Sequence, residues 1–468
     1  MIIQKKRNLT LCISPDFSYL CPLMRRSNYD FLTTAPVPKV IGTLAVPTII
    51  SMMVTSIYSL ADTYFVSQLN TQATAAVGIV FTVMSIFQAM GYFYGTGSGN
   101  YIAMSLGAKN ASEASQMGFL SFVYAIITGV VLTVVGFLIL PNLARWLGST
   151  ETIYPYTLEY LSFILLACPF VIGSLTLNLQ LRFRGDPFYS MLGILSGAIL
   201  NISLDPLFIF YLDMGISGAG LATLISQAVS FSVLLTITLR MKSWQISLSS
   251  LLSPLSSKKY IALIVKGGTP SITRQGLGTL ATLFLNLTAA GFGDAAVAAM
   301  SIVTRITFLV YSIVIGLGHG FQPFCGYCYG AQLHERVVKG FWYSVRVGTI
   351  FLTVVAILCF VFTAEIISLF RNDPAVISIG GQALRWQAIT YPLGAIMMLS
   401  NTMMQTINRP IEANILAAAR RGLFFIPFIL VLPTFFGLFG LIVTQACADV
   451  CAFVMTVVIM SYYRNSKK

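Results

Sequence analysis

The sequence alternates between long apolar stretches and short polar ones, and this alternation limits the fold more than any motif does. Twelve stretches reach the length of about 20 residues that is needed to cross a bilayer core of roughly 30 Å. Charged residues make up 9% of the chain, whereas soluble domains contain about 25%. A water-soluble enzyme is therefore excluded, and an all-α polytopic membrane protein is predicted. The stretches lie near 40–67, 74–105, 117–140, 154–179, 188–212, 216–239, 260–290, 295–329, 341–363, 376–405, 411–433 and 437–462.

The net charge of +13 has a topological explanation. If the N-terminus is cytoplasmic, nineteen Lys and Arg residues fall in inner segments, and only Arg145 and Arg371 fall in outer loops. This asymmetry follows the positive-inside rule and predicts that both termini are cytoplasmic. The basic charge then gives no reason to expect a nucleic-acid partner. The inner residues are Lys5, Lys6, Arg7, Arg25, Arg26, Lys39, Lys109, Arg182, Arg184, Arg240, Lys242, Lys258, Lys259, Arg336, Lys339, Arg409, Arg464, Lys467 and Lys468.

The two halves of the chain repeat each other at a shift of 223 residues. Pro47 then matches Pro270, and Gly107 matches Gly330. A constant offset between such residues predicts a duplicated unit of six spans. Because six is even, both copies insert with the same polarity, and we expect two parallel-repeat six-helix lobes around a central cleft. Each proline should bend the first span of its half, as a hinge or as a static kink.

This repeat divides the chain into five predicted segments. No apolar region near the N-terminus is long enough for a signal peptide, and Met24 is an alternative start of translation. The segments are a disordered cytoplasmic extension (1–35), an N-terminal six-helix lobe (36–239), a cytoplasmic linker (240–259), a C-terminal six-helix lobe (260–462) and a cytoplasmic tail (463–468).

Ionisable side chains inside the spans mark candidate sites, because each costs roughly 3 kcal/mol or more in the bilayer. Asp62 lies about six residues below the outer end of span 1, and Asp205 about seven below that of span 5. Asn201 shares the face of Asp205 one turn deeper, and Thr223 reaches a similar depth in span 6. We expect these four residues to converge in the outer half of the first lobe. Their oxygens suit a hard cation such as Na⁺, or a shared proton.

The second half lacks this polar cluster. Leu285 stands at the position that matches Asp62, Phe424 at that of Asn201 and Phe428 at that of Asp205. A role that the fold itself required would appear in both copies. The asymmetry therefore favours ion coupling over the alternative of buried structural hydrogen bonding.

The second half instead places basic residues near the middle of its spans. Arg274, with Gln275 beside it, and Arg305 are candidates for a polar or anionic contact surface in the cleft. The alternative is that such bases snorkel to the interface, or pair with Asp449 and with backbone carbonyls.

Other functional signatures are missing from the sequence. No G-x-x-x-x-G-K-[ST] phosphate loop occurs, so we do not expect ATP to drive the protein. Cys325-x-x-Cys328 lacks two further ligands at zinc spacing, and no Ser/His/Asp set suggests an enzyme. The sequence predicts neither a resident cofactor nor catalysis.

Several short motifs occur in a fixed order along residues 36–462. They are Leu44-Ala-Val-Pro47, Leu60-Ala-Asp62-Thr-Tyr-Phe-Val, Ala75-Ala-Val-Gly78, Gly107-Ala-Lys-Asn110, Arg184-Gly-Asp-Pro187, Asn201-Ile-Ser-Leu-Asp205-Pro206, Gly218-Ala-Gly-Leu-Ala-Thr223 and Gln322-Pro-Phe-Cys-Gly-Tyr-Cys-Tyr-Gly330-Ala. In this order they resemble the multidrug and toxic compound extrusion (MATE) family of cation-coupled antiporters.

The resemblance implies a function and a site. In relatives coupled through the N-terminal lobe, a span-1 Asp, a span-5 Asn and Asp and a span-6 Thr serve the coupling site, and Asp62, Asn201, Asp205 and Thr223 match them. Another branch uses acids in spans 7 and 10, whereas span 10 has no acid here. The implied activity is export of amphipathic, often cationic compounds in exchange for H⁺ or Na⁺ by alternating access.

The resemblance also sets expectations about location and partners. We expect a monomer that spans the bacterial inner (plasma) membrane many times, in contact with lipid. The alternative function is a flippase of lipid-linked precursors on a related fold, in which the arginines of the second lobe would meet a phosphate.

Overall fold

The computed structural model describes residues 28–241, 244 and 254–465, and nearly all of them are helical. The first half contains α1 (Asn28–Thr34), α2 (Val37–Ser67), α3 (Thr71–Gly107), α4 (Ala111–Leu138), α5 (Leu140–Trp146), α6 (Tyr154–Phe183), α7 (Pro187–Pro206), a π-helical turn (Leu207–Tyr211) and α8 (Gly215–Arg240). The second half contains α9 (Pro254–Ala290), α10 (Asp294–Gly330), α11 (His334–Val361), α12 (Thr363–Ser368), α13 (Pro374–Thr406), α14 (Pro410–Ala418), a π-helical turn (Ala419–Leu423) and α15 (Phe425–Asn465).

The helices begin where the sequence supplies a cap. The side chain of Asn70 accepts a hydrogen bond from Ala73 N at 2.7 Å at the start of α3, and Asp373 caps α13 in the same manner. Such side-chain oxygens satisfy backbone N–H groups that have no partner inside the helix. Helices α7, α13 and α14 start with proline, whose fixed φ suits the first turn.

Nine helices within the described ranges are long and apolar enough to cross a bilayer. One of them, Pro410–Tyr463, has 54 residues, more than twice the roughly 20 residues that one span needs. Gly437 interrupts it with φ 57°, so this region has room for two spans. The long helices α9 and α13 are less apolar. The all-α, multi-pass fold class is confirmed, and the number twelve stays a prediction.

The backbone repeats with the period found in the sequence. Lys109 and Gln332, 223 residues apart, both adopt left-handed φ, at 60° and 62°. Asn178 and Asn401, also 223 apart, each donate a hydrogen bond to the backbone oxygen twelve residues later, at 2.8 and 2.7 Å. Local geometry that recurs at one offset supports a duplicated unit.

The two halves touch each other at one end of the molecule. Thr48 Oγ1 of α2 donates to the backbone oxygen of Gly316 in α10 at 2.7 Å. The hydroxyls of Thr96 in α3 and Ser271 in α9 lie 2.9 Å apart. Thr48 and Ser271 each directly follow the proline inside their helix. We call this region, where the halves share hydrogen bonds, the closed end.

The apolar cores show how the halves separate away from the closed end. One buried cluster, which includes Leu44 and Phe321, contains residues of both halves. Two other clusters each belong to one half, the first around Ile209 and Ile216 and the second around Phe425. The halves therefore form two lobes that share a core at the closed end and keep separate cores at the other. The space between them at that second end is the cleft.

The structure corrects parts of the predicted terminal and linker segments. The extension 1–35 is not disordered throughout, because α1 is packed and Leu32 is 1% exposed. The side chain of Arg336 donates to the backbone oxygen of Leu32 at 3.1 Å and holds this helix in place. The end of the predicted linker, 254–259, is the first part of α9, and 463–465 end α15. Residues 1–27, 242–243, 245–253 and 466–468 of the predicted segments lie outside the described residues.

The loop between α6 and α7 contributes a pH-dependent term to stability. Asn28 Nδ2 of α1 donates to Asp186 Oδ1 at 3.1 Å, yet burial raises the pKa of Asp186, with Asn28 and Arg184 opposing the shift. Since folding then disfavours the ionised carboxylate, this group reduces stability as the pH rises through its folded-state pKa.

We therefore expect Asp186→Asn, which keeps the acceptor oxygen, to unfold at a higher temperature than wild type at pH 7. The advantage should shrink as the pH falls toward about 4, the ordinary range for Asp. Thermal unfolding in detergent at several pH values measures this. Glu335→Gln is the control, because the Glu335 side chain is 94% exposed. An advantage of Asp186→Asn that grows at low pH would contradict the assignment.

Candidate functional site

The structure brings together the four polar residues predicted in the first lobe. Asp62 lies on α2, Asn201 and Asp205 on α7, and Thr223 on α8. Asn201 Nδ2 donates to Asp205 Oδ1 at 3.4 Å, and the carboxyl groups of Asp62 and Asp205 lie within electrostatic range of each other. The exposed fractions of Asn201, Asp205 and Thr223 are 1%, 0% and 2%. We call these four residues the carboxylate cluster.

Three oxygen atoms of the carboxylate cluster are buried without a hydrogen-bond partner. They are Asp62 Oδ1, Asn201 Oδ1 and Asp205 Oδ2, and the buried hydroxyl of Thr223 interacts with Tyr160. A buried polar atom without a partner costs free energy, so this arrangement favours an occupant that accepts oxygen lone pairs. A hard cation does so through several oxygens, and a proton does so at one carboxylate oxygen. The described residues contain no group of three His, Cys, Asp or Glu side chains that could hold a metal ion.

Two tyrosines and a glutamine line the carboxylate cluster and were not predicted from the sequence. Tyr58 on α2 lies within electrostatic range of both carboxylates and hydrogen-bonds Gln227. Tyr160, on α6, interacts with the same two carboxylates. Tyr58 precedes Asp62 by one helical turn, and Gln227 follows Thr223 by one turn, so i, i+4 spacing could have found these two. Tyr160 belongs to a separate helix and gives no such signal.

The helix that carries Asp205 changes form immediately after it. Pro206 ends α7, and Leu207–Tyr211 form a π-helical turn. Proline cannot donate the backbone hydrogen bond of a regular helix, and π-helical turns relax the local ladder. The sequence Asp205-Pro206 thus places a carboxylate at a point where the backbone is irregular and buried.

The equivalent region of the second lobe is apolar. Leu285, at the position that matches Asp62, is 6% exposed and belongs to the core of that lobe. The rings of Phe424 and Phe428 lie 6.5 Å apart and pack against the same core. These apolar side chains leave the carboxylate cluster without a counterpart in the second lobe.

The deep acid of the second lobe is paired. Asp449 accepts from Arg420 at 2.8 and 3.1 Å and from Gln445 at 2.7 Å. Thr390 Oγ1 donates to the same carboxylate at 3.2 Å. A carboxylate with this many donors is a structural ion pair, unlike the two carboxylates of the first lobe.

The three polar residues predicted to line the cleft lie on two helices. Arg305 is exposed. It lies on the same face of α10 as Gly316, which is about three turns later and contacts the first lobe. It therefore faces the cleft, and it forms no ion pair among the described residues. Arg274 and Gln275, on α9, are half-buried next to the closed end. The structure places Arg274 beside other bases rather than beside an acid.

Comparison with known proteins agrees with this architecture. The chain is 29% identical over 415 residues to a multidrug export protein MepA of Staphylococcus saprophyticus, covering 87% of this chain and 90% of that protein. It is 28% identical over 433 residues to MepA of Staphylococcus aureus, covering 92% and 95%. A solved outward-facing MATE transporter of the MOP superfamily superposes with a TM-score of 0.87 at 26% identity, covering 94% of this chain and 99% of that one.

The MatE family model matches residues 47–207 and 270–431. Because these matches cover more than half of the chain, the protein belongs to the MatE family of multidrug and toxic compound extrusion transporters.

Proposed function

We propose that the protein exports amphipathic, cationic organic compounds in exchange for H⁺ or Na⁺ that binds at the carboxylate cluster. The observation that carries this proposal is the set of three buried oxygens without partners in the carboxylate cluster, at a place that is apolar in the second lobe. A transporter that is driven by a coupling ion needs an internal charge that the ion can neutralise reversibly. The cargo is inferred from the relatives, which are multidrug export proteins.

Helix α2 offers a route from ion binding to movement of the lobes. Asp62 lies near the C-terminal end of this helix, whereas Thr48, about four turns earlier, bonds the opposite lobe at the closed end. Pro47, also inside α2, directly precedes Thr48. A change in charge at Asp62 that altered the bend at Pro47 would thus act directly on the closed end. The coupling ion must bind one state of this equilibrium better than the other.

The distribution of basic residues along the chain indicates which end of the structure faces the cytoplasm. The closed end includes the loops after α3 and α6, which the positive-inside rule places in the cytoplasm. The conformation is then outward-facing, and alternating access requires the closed end to open while the cleft closes. One chain contains both lobes, so the proposed functional unit is a monomer in the plasma membrane, with cytoplasmic termini and without ATP or a resident cofactor.

Exchange in proteoliposomes with a fluorescent cationic drug tests this function. We expect wild-type protein to move the drug under a pH gradient, a sodium gradient or both. Thr223→Val distinguishes the ions, because a proton needs one carboxylate oxygen whereas Na⁺ needs several ligands. If Na⁺ is the coupling ion, exchange at limiting sodium should fall at least about tenfold, the loss expected for one strong contact. If H⁺ is, exchange should stay near the wild-type rate.

Thr434→Val is the matched control, because this threonine is exposed on α15 and should behave as wild type. Absence of drug movement under both gradients, in protein that is folded and correctly inserted, would refute the proposed function.

A further inference from the structure

A group of basic side chains lies where the two lobes meet, below the cleft. Arg182 of α6 lies within electrostatic range of Arg274 of α9, and His319 of α10 lies within range of both. Arg182 is 2% exposed and His319 5%. None of the ion pairs of the described residues includes these three. We call them the basic cluster.

Several polar atoms of the basic cluster and its surroundings lack partners. Arg182 Nε and Nη2, His319 Nδ1 and Gln322 Oε1 are buried and make no hydrogen bond. Guanidinium groups that are close together in a medium of low dielectric repel each other, and a buried charge without a partner is strongly unfavourable. The closed end therefore contains donors and positive charge that the protein itself does not neutralise.

The internal repeat shows that the fold does not require an arginine at this place. The residue 223 positions after Arg182 is Gln405, which packs at the closed end in the other repeat. Its Nε2 donates to the backbone oxygen of Gly267 and to Ser271 Oγ in its own half, both at 2.9 Å, and to Thr96 Oγ1 of the first half at 3.3 Å. A neutral amide thus joins the lobes in one repeat, whereas the other has a cation. The positive charge calls for a separate explanation.

The basic cluster is next to the open part of the cleft. Arg274 is half-buried and lies one turn beyond Ser271, which touches the opposite lobe. One turn further along the same face of α9, a β-carbon added at Gly278 would meet nothing within 4 Å. Open space therefore adjoins Arg274, while Arg182 and His319 are more deeply buried.

We propose that the basic cluster is a binding site for an oxyanion group, a phosphate above all, which bridges Arg182 of the first lobe to Arg274 and His319 of the second. Arginine donors form a planar fork that matches the oxygens of phosphate. Because the ligand contacts both lobes, it stabilises the closed end. The proposal concerns an anion and is independent of the cargo and of the coupling ion.

Binding to purified protein in a neutral detergent tests this site without any ion gradient. Two probes are used, inorganic phosphate and a soluble short-chain phosphatidic acid, each at constant ionic strength balanced with chloride. A ligand that binds the folded state raises the unfolding temperature in a concentration-dependent way. We expect wild type to be stabilised by inorganic phosphate, and tighter binding of phosphatidic acid would identify a lipid headgroup as the source of the phosphate.

Arg182→Gln and Arg274→Gln should weaken apparent phosphate affinity at least about tenfold each, as expected when a charge-assisted contact is lost. Arg182→Gln introduces the side chain that the other repeat has at this place, so we expect it to fold. Arg240→Gln, at the exposed end of α8, should bind as wild type. The proposal is overturned if neither probe stabilises wild type beyond chloride, or if both variants at the basic cluster respond as wild type does.

Discussion

Asp205→Asn should reduce ion-driven exchange to the level of protein-free vesicles. Asparagine has nearly the shape of aspartate and keeps an oxygen that can accept the hydrogen bond from Asn201, which lies 3.4 Å from Asp205 in wild type. It cannot change charge on binding a proton, and it offers Na⁺ a neutral ligand in place of a carboxylate. The variant should therefore insert and fold while the driving ion loses its effect on the conformational equilibrium.

Asp62→Asn should have the same effect, since the two carboxylates lie within electrostatic range of each other in one cluster. The measurement is the initial rate of drug exchange in proteoliposomes, normalised to the amount of inserted protein. Glu159→Gln is the control, because Glu159 is exposed and accepts a hydrogen bond from Ser217 at 3.0 Å rather than from the carboxylate cluster. Exchange at the wild-type rate in Asp205→Asn would rule out the carboxylate cluster as the coupling site.

The carboxylate cluster could be predicted because charge is rare in membrane spans. Asp62 and Asp205 stand out in apolar stretches, and a rise of about 1.5 Å per residue converts their positions into depth. Neutral polar residues give a weaker signal, since hydroxyl groups are tolerated inside spans. Tyr160 was missed for this reason, although its ring is buried beside both carboxylates.

The basic cluster could not be predicted from periodicity. Arg182 is near the inner end of its span, where the positive-inside rule already accounts for a base. The side chains around Arg182 depend on which face of α6 meets α9 and α10. Contacts between the lobes determine that face, and the sequence of α6 alone does not. The packing of α1 was missed for a related reason. A polar segment ahead of the first span suggests disorder, whereas Arg336, three hundred residues later, binds its backbone.

Gly320→Ala should slow exchange about tenfold by disturbing the closed end. A β-carbon at Gly320 would lie 2.5 Å from Ala45 Cα and 2.6 Å from Ala45 N, and this backbone of α2 can give way only if the lobes separate. Overpacking of this kind costs roughly 1–3 kcal/mol. Since about 1.4 kcal/mol is a factor of ten in an equilibrium constant, the ratio of molecules with the closed end intact to molecules with it open should fall by about that factor.

Gly318→Ala is the matched control two residues away on α10, because its added β-carbon would meet Thr402 Oγ1 at an ordinary 3.5 Å. Exchange rates and unfolding temperatures of both variants, measured side by side, separate a conformational effect from a folding defect. Each lobe keeps its own core away from the closed end, so we expect Gly320→Ala to remain folded while it transports slowly. Equal exchange rates for the two variants would mean that close contact between Gly320 and α2 is not needed in the transport cycle. The opening and closing of the closed end would then depend on the hydrogen bonds between the lobes, such as those of Thr48 and Ser271.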